Sequence, residues 1–202
     1  MIREKILRPI THNFSTVDQK WGTSQEKGSS GEVVTYSFAA ANFPIQFSNF
    51  DNFITDPDYQ NEISLSFLAW ADVGGIQFEL VPDTALVNIR IGWANFDGPG
   101  GILGDATIPA SGPLSSAVIR LDELENWKLG DVENSSQIDF SLTVTHEIGH
   151  AIGILHSDDE NALMHEFYRP DVNTLRQDDI NAVQNLYGPA TDQTNVYRYF
   201  NK

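Results

Sequence analysis

The chain of 202 residues contains no cysteine, which excludes disulfides, cysteine-ligated zinc, iron–sulfur clusters and thiol nucleophiles. Positive charge is scarce: 12 Lys+Arg stand against 28 Asp+Glu, a formal net charge of −16. Phosphate recognition needs clustered Lys and Arg, so neither nucleic acid nor an anionic membrane surface is an expected partner. Bound cations suit such a chain. Long apolar runs are also missing. Nothing approaches the roughly 18 residues of a membrane span, and Met1 to Ile10 carries charge with no apolar stretch of signal-peptide length, so no signal peptide is visible. There is no internal repeat and no low-complexity segment. At 41% apolar and 11% aromatic, the chain can bury a core, and its length fits one domain. A monomer is expected.

Residues 1–19 show no clear period and read as an N-terminal extension or short pro-segment. A β-rich run follows at Val33 to Phe38. Asp56-Pro57 is a helix start, with Asp as cap and Pro in the first turn. Ile63, Phe67 and Trp70 then fall at i, i+4, i+7, which predicts an amphipathic helix ending near Gly74-Gly75. Ile76, Phe78 and Leu80 alternate with polar residues, as do Val87, Ile89 and Ile91, predicting two half-buried strands. A glycine-rich loop occupies 94–101, and short strands are predicted from Ile102 and around Ala117, Ile119 and Leu121. Helical period returns from about Ser136 and continues to Gly153; a last helix is predicted from Thr174 to Tyr187, closed by Gly188. The fold class is α+β.

The stretch that carries chemistry is His146-Glu147-Ile148-Gly149-His150-Ala151-Ile152-Gly153-Ile154-Leu155-His156. On a helix, His146 and His150 project from nearly the same face one turn apart. Two nitrogens so placed suit one Zn²⁺ at about 2.0–2.1 Å. Gly153 falls where the helix must stop, and a sharp left-handed turn there brings His156 back as a third ligand. Three neutral imidazoles leave the fourth tetrahedral position for water, the layout of a catalytic zinc. Glu147, next to the first ligand, is placed to act as general base. The pattern's chance expectation in a chain of this composition is about 10⁻⁵.

These eleven residues resemble the extended zinc signature of the metzincin peptidases, and their surroundings resemble the matrixin (matrix metalloproteinase) branch. Ala162-Leu163-Met164 resembles the Met-turn, whose Met164 would underlie the zinc ligands as a structural residue, as Gly153 is structural at the helix end. Leu175 to Gly188 is similar to the matrixin C-terminal helix, Ser66 to Val73 to its first helix, and Lys20-Trp21 with Val34-Thr35-Tyr36 to the start of its catalytic domain. Ser157 after the last histidine also points to matrixins. The resemblance implies a twisted, mostly parallel sheet of about five strands with an antiparallel edge strand, plus three helices. It also implies a catalytic domain over 20–190, followed by a tail over 191–202.

Other expectations follow from the same resemblance. Asp97-Gly98-Pro99-Gly100-Gly101-Ile102-Leu103 resembles the loop that wraps a structural Ca²⁺, with carbonyls of Gly98, Gly100 and Ile102 joining side chains of Asp97, Asp122 and Glu125. Calcium favours six to eight hard oxygens, which such a set supplies. The family's second, structural zinc is expected to be absent. Its three histidines would align with the 94–96 region, Asp105 and Arg120, and only His12 and His165 lie outside the catalytic motif. Leu103 and Gly104, on the strand that would pair with substrate, and Leu142 and Tyr168, in the pocket for the residue after the cut, are the expected substrate-binding residues. The family's Met-turn continues Tyr-Pro-x-Tyr, whereas this chain has His165-Glu166-Phe167-Tyr168. His165 reads as a surface histidine. Asp178 and Asp179 read equally as anchors for a processed N-terminus or as helix-start acids.

The reading is a zinc-dependent endopeptidase that cuts extended protein or peptide substrates, with Ca²⁺ as structural cofactor and a secreted or extracellular location implied by the resemblance. The alternatives are a catalytically silent zinc-binding interaction module, against which Glu147 speaks, and a zinc hydrolase of a non-peptide amide.

Overall fold

The computed structural model describes residues 13–44 and 49–190. The expected tail 191–202, His12 and most of the expected extension lie outside them. Among the described residues no helix is long and apolar enough to cross a membrane.

Strand β1 (Glu32–Phe38) opens the sheet and is followed by helix α1 (Pro57–Val73). Asp56 caps α1 through its carboxylate, which accepts from Asp58 N, and the Gly74 N–H closes the far end on Trp70 O. The apolar face read from the sequence is the buried one: Ile63, Phe67 and Trp70 are almost fully covered. Strands β2 (Ile76–Leu80), β3 (Ile89–Ala94), β4 (Gly104–Thr107) and β5 (Ala117–Asp122) complete a five-stranded sheet of order β2-β1-β3-β5-β4. All neighbours are parallel except β4, which runs antiparallel to β5 at the sheet's edge. Strand β3 lies in the middle; against the expectation of a half-buried strand that includes Val87, it starts at Ile89 and every one of its residues is buried, as a strand covered on both faces must be.

Helix α2 (Phe140–Ala151) crosses the same face as α1, and the Trp70 indole donates to Thr145 O at 2.9 Å where the two meet. Helix α3 (Gln177–Tyr187) closes the chain over the end of α1. The core joins Ile63, Phe67 and Trp70 to Ile89, Ile91, Ile119 and Leu121 of the sheet and to Phe140, Val144 and Ile148 of α2. Behind the sheet, buried Arg90 donates through Nε and Nη2 to Asp83, which also accepts from Ser37 and Ala40. A buried charge persists only with such partners.

Other boundaries also differ from expectation, and α2 ends at Ala151 rather than Gly153. Helix α2 starts at Phe140 rather than near Ser136, because Ile138–Asp139 forms a short strand, β7, parallel to β6 (Trp127–Lys128). Asp139 then caps the helix by accepting from Leu142 N at 3.0 Å. Helix α3 starts at Gln177 rather than Thr174, where Asp179 accepts from Arg176 N at 2.7 Å. Strand β4 starts at Gly104 rather than Ile102.

Candidate metal centre and cleft

Helix α2 carries His146, Glu147 and His150 on the side that faces β4 and an open cleft of about 590 Å³. The helix ends at Ala151 with Ile152 as its cap, and Gly153 turns the chain with φ 94°, a conformation that side chains with a Cβ rarely adopt. Residues 154–156 then fold back and bring His156 beside the helix, so that His150 Nε2 and His156 Nε2 are 3.2 Å apart. One ligand atom from each of His146, His150 and His156 lies within 4.8 Å of the others. Among the described residues this is the one group of three or more His, Asp or Glu side chains so gathered.

The ring nitrogens on the far side fix the tautomers. His146 Nδ1 lies 2.9 Å from Leu163 O, and His150 Nδ1 lies 2.7 Å from Ile154 O. A carbonyl only accepts, so each Nδ1 carries the proton and donates, which leaves each Nε2 a lone pair facing the cluster. Burial, then the charge of His150, pushes His146 down to about 3; burial pushes His150 down to about 4. At neutral pH both imidazoles are uncharged, the form that binds metal. Glu147 is 6% exposed, and its Oε2 is buried with no protein hydrogen-bond partner. Burial, then the Asp105 charge, raises its carboxyl to about 8. An orphaned carboxyl oxygen beside three converging imidazole nitrogens fits a metal and its water.

The floor of the cluster is tightly built. Met164 is 1% exposed, and a Cβ on Gly149 would come within 2.4 Å of its Sδ. A glycine between the two helical histidines thus lets Met164 press beneath them. Asp179 is buried and accepts from Leu163 N and Met164 N as well as Arg176 N, so it braces the Met164 turn. Asp178 accepts from Ser157 Oγ. Ser157 N donates to Met164 O at 2.9 Å, tying the segment after His156 to the same turn.

Sequence reasoning missed one element of the site. Residues 13–17 run antiparallel to 153–158: Val17 N donates to Gly153 O, Leu155 N to Ser15 O and Asp158 N to Asn13 O, at 2.8–3.1 Å. Trp21 Nε1 takes Ala151 O and the Tyr187 hydroxyl takes Ile152 O. The segment bearing His156 is therefore bonded on both sides of that residue. A stretch without period gives no local signal for such backbone pairing.

The remaining site residues are placed as follows. Leu103, Gly104, Leu142 and Tyr168 all line the cleft, with Val172 and Arg169 added. The Tyr168 hydroxyl accepts from Asp139 N at 2.8 Å, which anchors that wall to the start of α2. The loop 97–103 meets Asp122 and Glu125 through its backbone: Gly98 N donates to Asp122, Gly100 N to Glu125 and Ile102 N to Asp97. The three acids thus sit around one loop without their own ligand atoms gathering as the histidines do. Asp105 is ion-paired with Arg120, and the Phe96 ring lies 5.0 Å from the Arg120 Cζ.

The profile of the matrixin family (Peptidase M10) matches residues 36–188. The chain belongs to the matrixin family. This matrixin is 34% identical to the hatching enzyme of Paracentrotus lividus over 82% of the chain and 27% of that protein. It is 32% identical to matrix metalloproteinase-18 of Xenopus laevis over 94% of the chain and 46% of that protein. Metalloendoproteinase 1 of Glycine max is 35% identical over 66% of the chain and 47% of that protein. The matrixin chain spans between about a quarter and a half of the length of these relatives.

Proposed function

We propose that this matrixin is a zinc-dependent endopeptidase acting on extended protein or peptide substrates. The observation that carries the reading is the convergence of one ring nitrogen from each of three histidines beside the orphaned Oε2 of Glu147, on an open cleft edged by β4. His146, His150 and His156 would hold the zinc. When bound, the metal supplies Lewis acidity, polarising the scissile carbonyl and acidifying the attacking water. Glu147, buried beside the histidines, accepts that water's proton and delivers it to the leaving amine. Strand β4, at the sheet edge, receives the substrate backbone as an added strand, with Leu103 and Gly104 at its start. Leu142 and Tyr168 form an apolar slot for the residue after the cut. A silent zinc module has no use for a general base, and an open cleft suits a chain better than a small amide.

Calcium belongs to the same proposal. Asp97, Asp122 and Glu125 bring three carboxylates to one loop, and among the described residues none of them has a basic side chain in salt-bridge range. A Ca²⁺ held by them and by carbonyls of Gly98, Gly100 and Ile102 would brace the loop that leads into β4. We further propose that the expected catalytic unit over 20–190 works together with residues 13–17, which pair with 153–158, without a second structural zinc and as a monomer outside the cytoplasm. The test is incubation with a denatured protein, with and without a zinc chelator, and mapping of the cut sites. Chelator-sensitive cuts within the chain support the reading; no cuts, or cuts indifferent to chelation, refute it.

A further inference from the structure

The positions at which the resemblance puts ligands of a second zinc hold a different assembly. Arg120 on β5 lies opposite Asp105 on β4 in the antiparallel register. Its Nε donates to Asp105 Oδ1 at 2.9 Å and its Nη2 to Oδ2, a two-pronged fork. Phe96, from the loop that leads toward β4, covers the guanidinium. A loop, an edge strand and its neighbour are thus cross-linked at one point by charge and an aromatic ring.

This point bears on β4. The strand has four residues, all half-buried, and lies at the edge of the sheet with β5 as its partner. Of its residues only Ala106 packs against the hydrophobic core. Among the described residues Arg120–Asp105 is the one ion pair that ties β4 to the sheet. Its side chains are 22% and 35% exposed, so its worth lies in directed geometry rather than in buried charge. Opposed unlike charges stabilise a cross-strand pairing, and here they also fix its register. Asp105 lines the cleft, so without Arg120 an unpaired negative charge would face the bound chain.

We propose that Arg120 is a positioning residue for peptide hydrolysis: forked onto Asp105 beneath Phe96, it holds the free edge of β4 in the register that receives an extended substrate. The inference rests on the endopeptidase reading and on β4 as the pairing edge. The experiment compares two peptides sharing one mapped scissile bond, of about twelve and about four residues, since the shorter one leaves only about two residues on either side of the cut to pair with an edge strand. Wild-type enzyme should favour the longer peptide in kcat/KM. Arg120→Gln should shrink that preference about fivefold or more through KM, with kcat on the short peptide within about twofold and zinc content unchanged. Asp105→Asn should shrink the ratio of the two peptides likewise, and it is read by that ratio alone, because the Asp105 charge also bears on Glu147. Arg120→Lys, which keeps the charge but not the fork, should fall between; it and Asp105→Asn decide the matter if Arg120→Gln does not fold. A wild type without length preference overturns the pairing edge and this inference with it. A preference that survives the variants, or an equal loss on both peptides, overturns this inference alone.

Discussion

Gly153 is where the backbone is asked for most, so Gly153→Ala measures what the turn contributes to the third ligand. At φ 94° an alanine is strained, at about 1–2 kcal/mol for a left-handed residue. The new Cβ would lie 3.0 Å from Val17 Cγ2 and 3.3 Å from Gln19 O, on the strap that pairs with the turn. Alanine's smaller unfolded-state entropy offsets about 0.4–1 kcal/mol, so with the crowding a net loss of about 1–2 kcal/mol is expected. In a chain of this size that lowers Tm by roughly 2–8 °C. The fold can relieve the strain by letting residues 153–156 move, and His156 moves with them. Zinc affinity should then fall by about 5- to 30-fold, the same energy read as binding. Gly112→Ala is the control: its φ is 82°, but its Cβ would meet nothing within 4 Å, and it is far in sequence from the histidines. Zinc competition against a chromophoric chelator, with melts on both variants, reads the outcome. Unchanged affinity in Gly153→Ala, or an equal loss in Gly112→Ala, would refute the reasoning.

Three further outcomes are expected. In the metal-free protein His146 and His150 titrate near 3 and 4, against about 6.5 when unfolded, so the unfolded chain binds more protons and stability drops as pH falls below about 6.5. Glu147, held up to about 8, keeps a proton that the unfolded chain loses near pH 4.3, so stability also declines as pH rises toward 8. Metal-free Tm should therefore peak at about pH 6–7, and Glu147→Gln should remove the alkaline decline; a flat profile would contradict both shifts. Calcium at about a hundredfold over its Kd should stabilise by about 2.7 kcal/mol, or roughly 5–10 °C in Tm, with Asp122→Ala abolishing the gain. Superimposable melts with calcium and with a calcium-selective chelator would reduce loop 97–103 to a plain turn. Mapped cuts should fall before medium or large apolar residues, since Leu142 and Tyr168 line the cleft; a preference for charge there would implicate Glu166 or His165 instead.

Features written locally were legible, and those set by distant partners were not. Asp56-Pro57 and Gly74 state both ends of α1 in the sequence, because a cap acts within a few residues. The start of α2 depends instead on Ile138–Asp139 pairing with Trp127–Lys128; that of α3 rests on a local cap, Asp179 on Arg176 N, whose carboxylate is also drawn to the distant turn at Met164. The metal cluster was readable because helical period and one glycine bring its histidines together. What holds His156 was not. Ser15, Val17 and Asn13 contribute backbone groups, which no side-chain pattern reports. Arg120 and Asp105 are fifteen residues apart and meet only through the β4–β5 register.

The central claim is that Glu147 is the general base beside a zinc it does not bind, and Glu147→Ala tests it most directly. Zinc content and turnover of a mapped peptide are measured on the same preparation. The account predicts zinc near one per chain with turnover reduced at least ~10²-fold, the low end of general-base contributions. Turnover close to wild type at full zinc occupancy would contradict it.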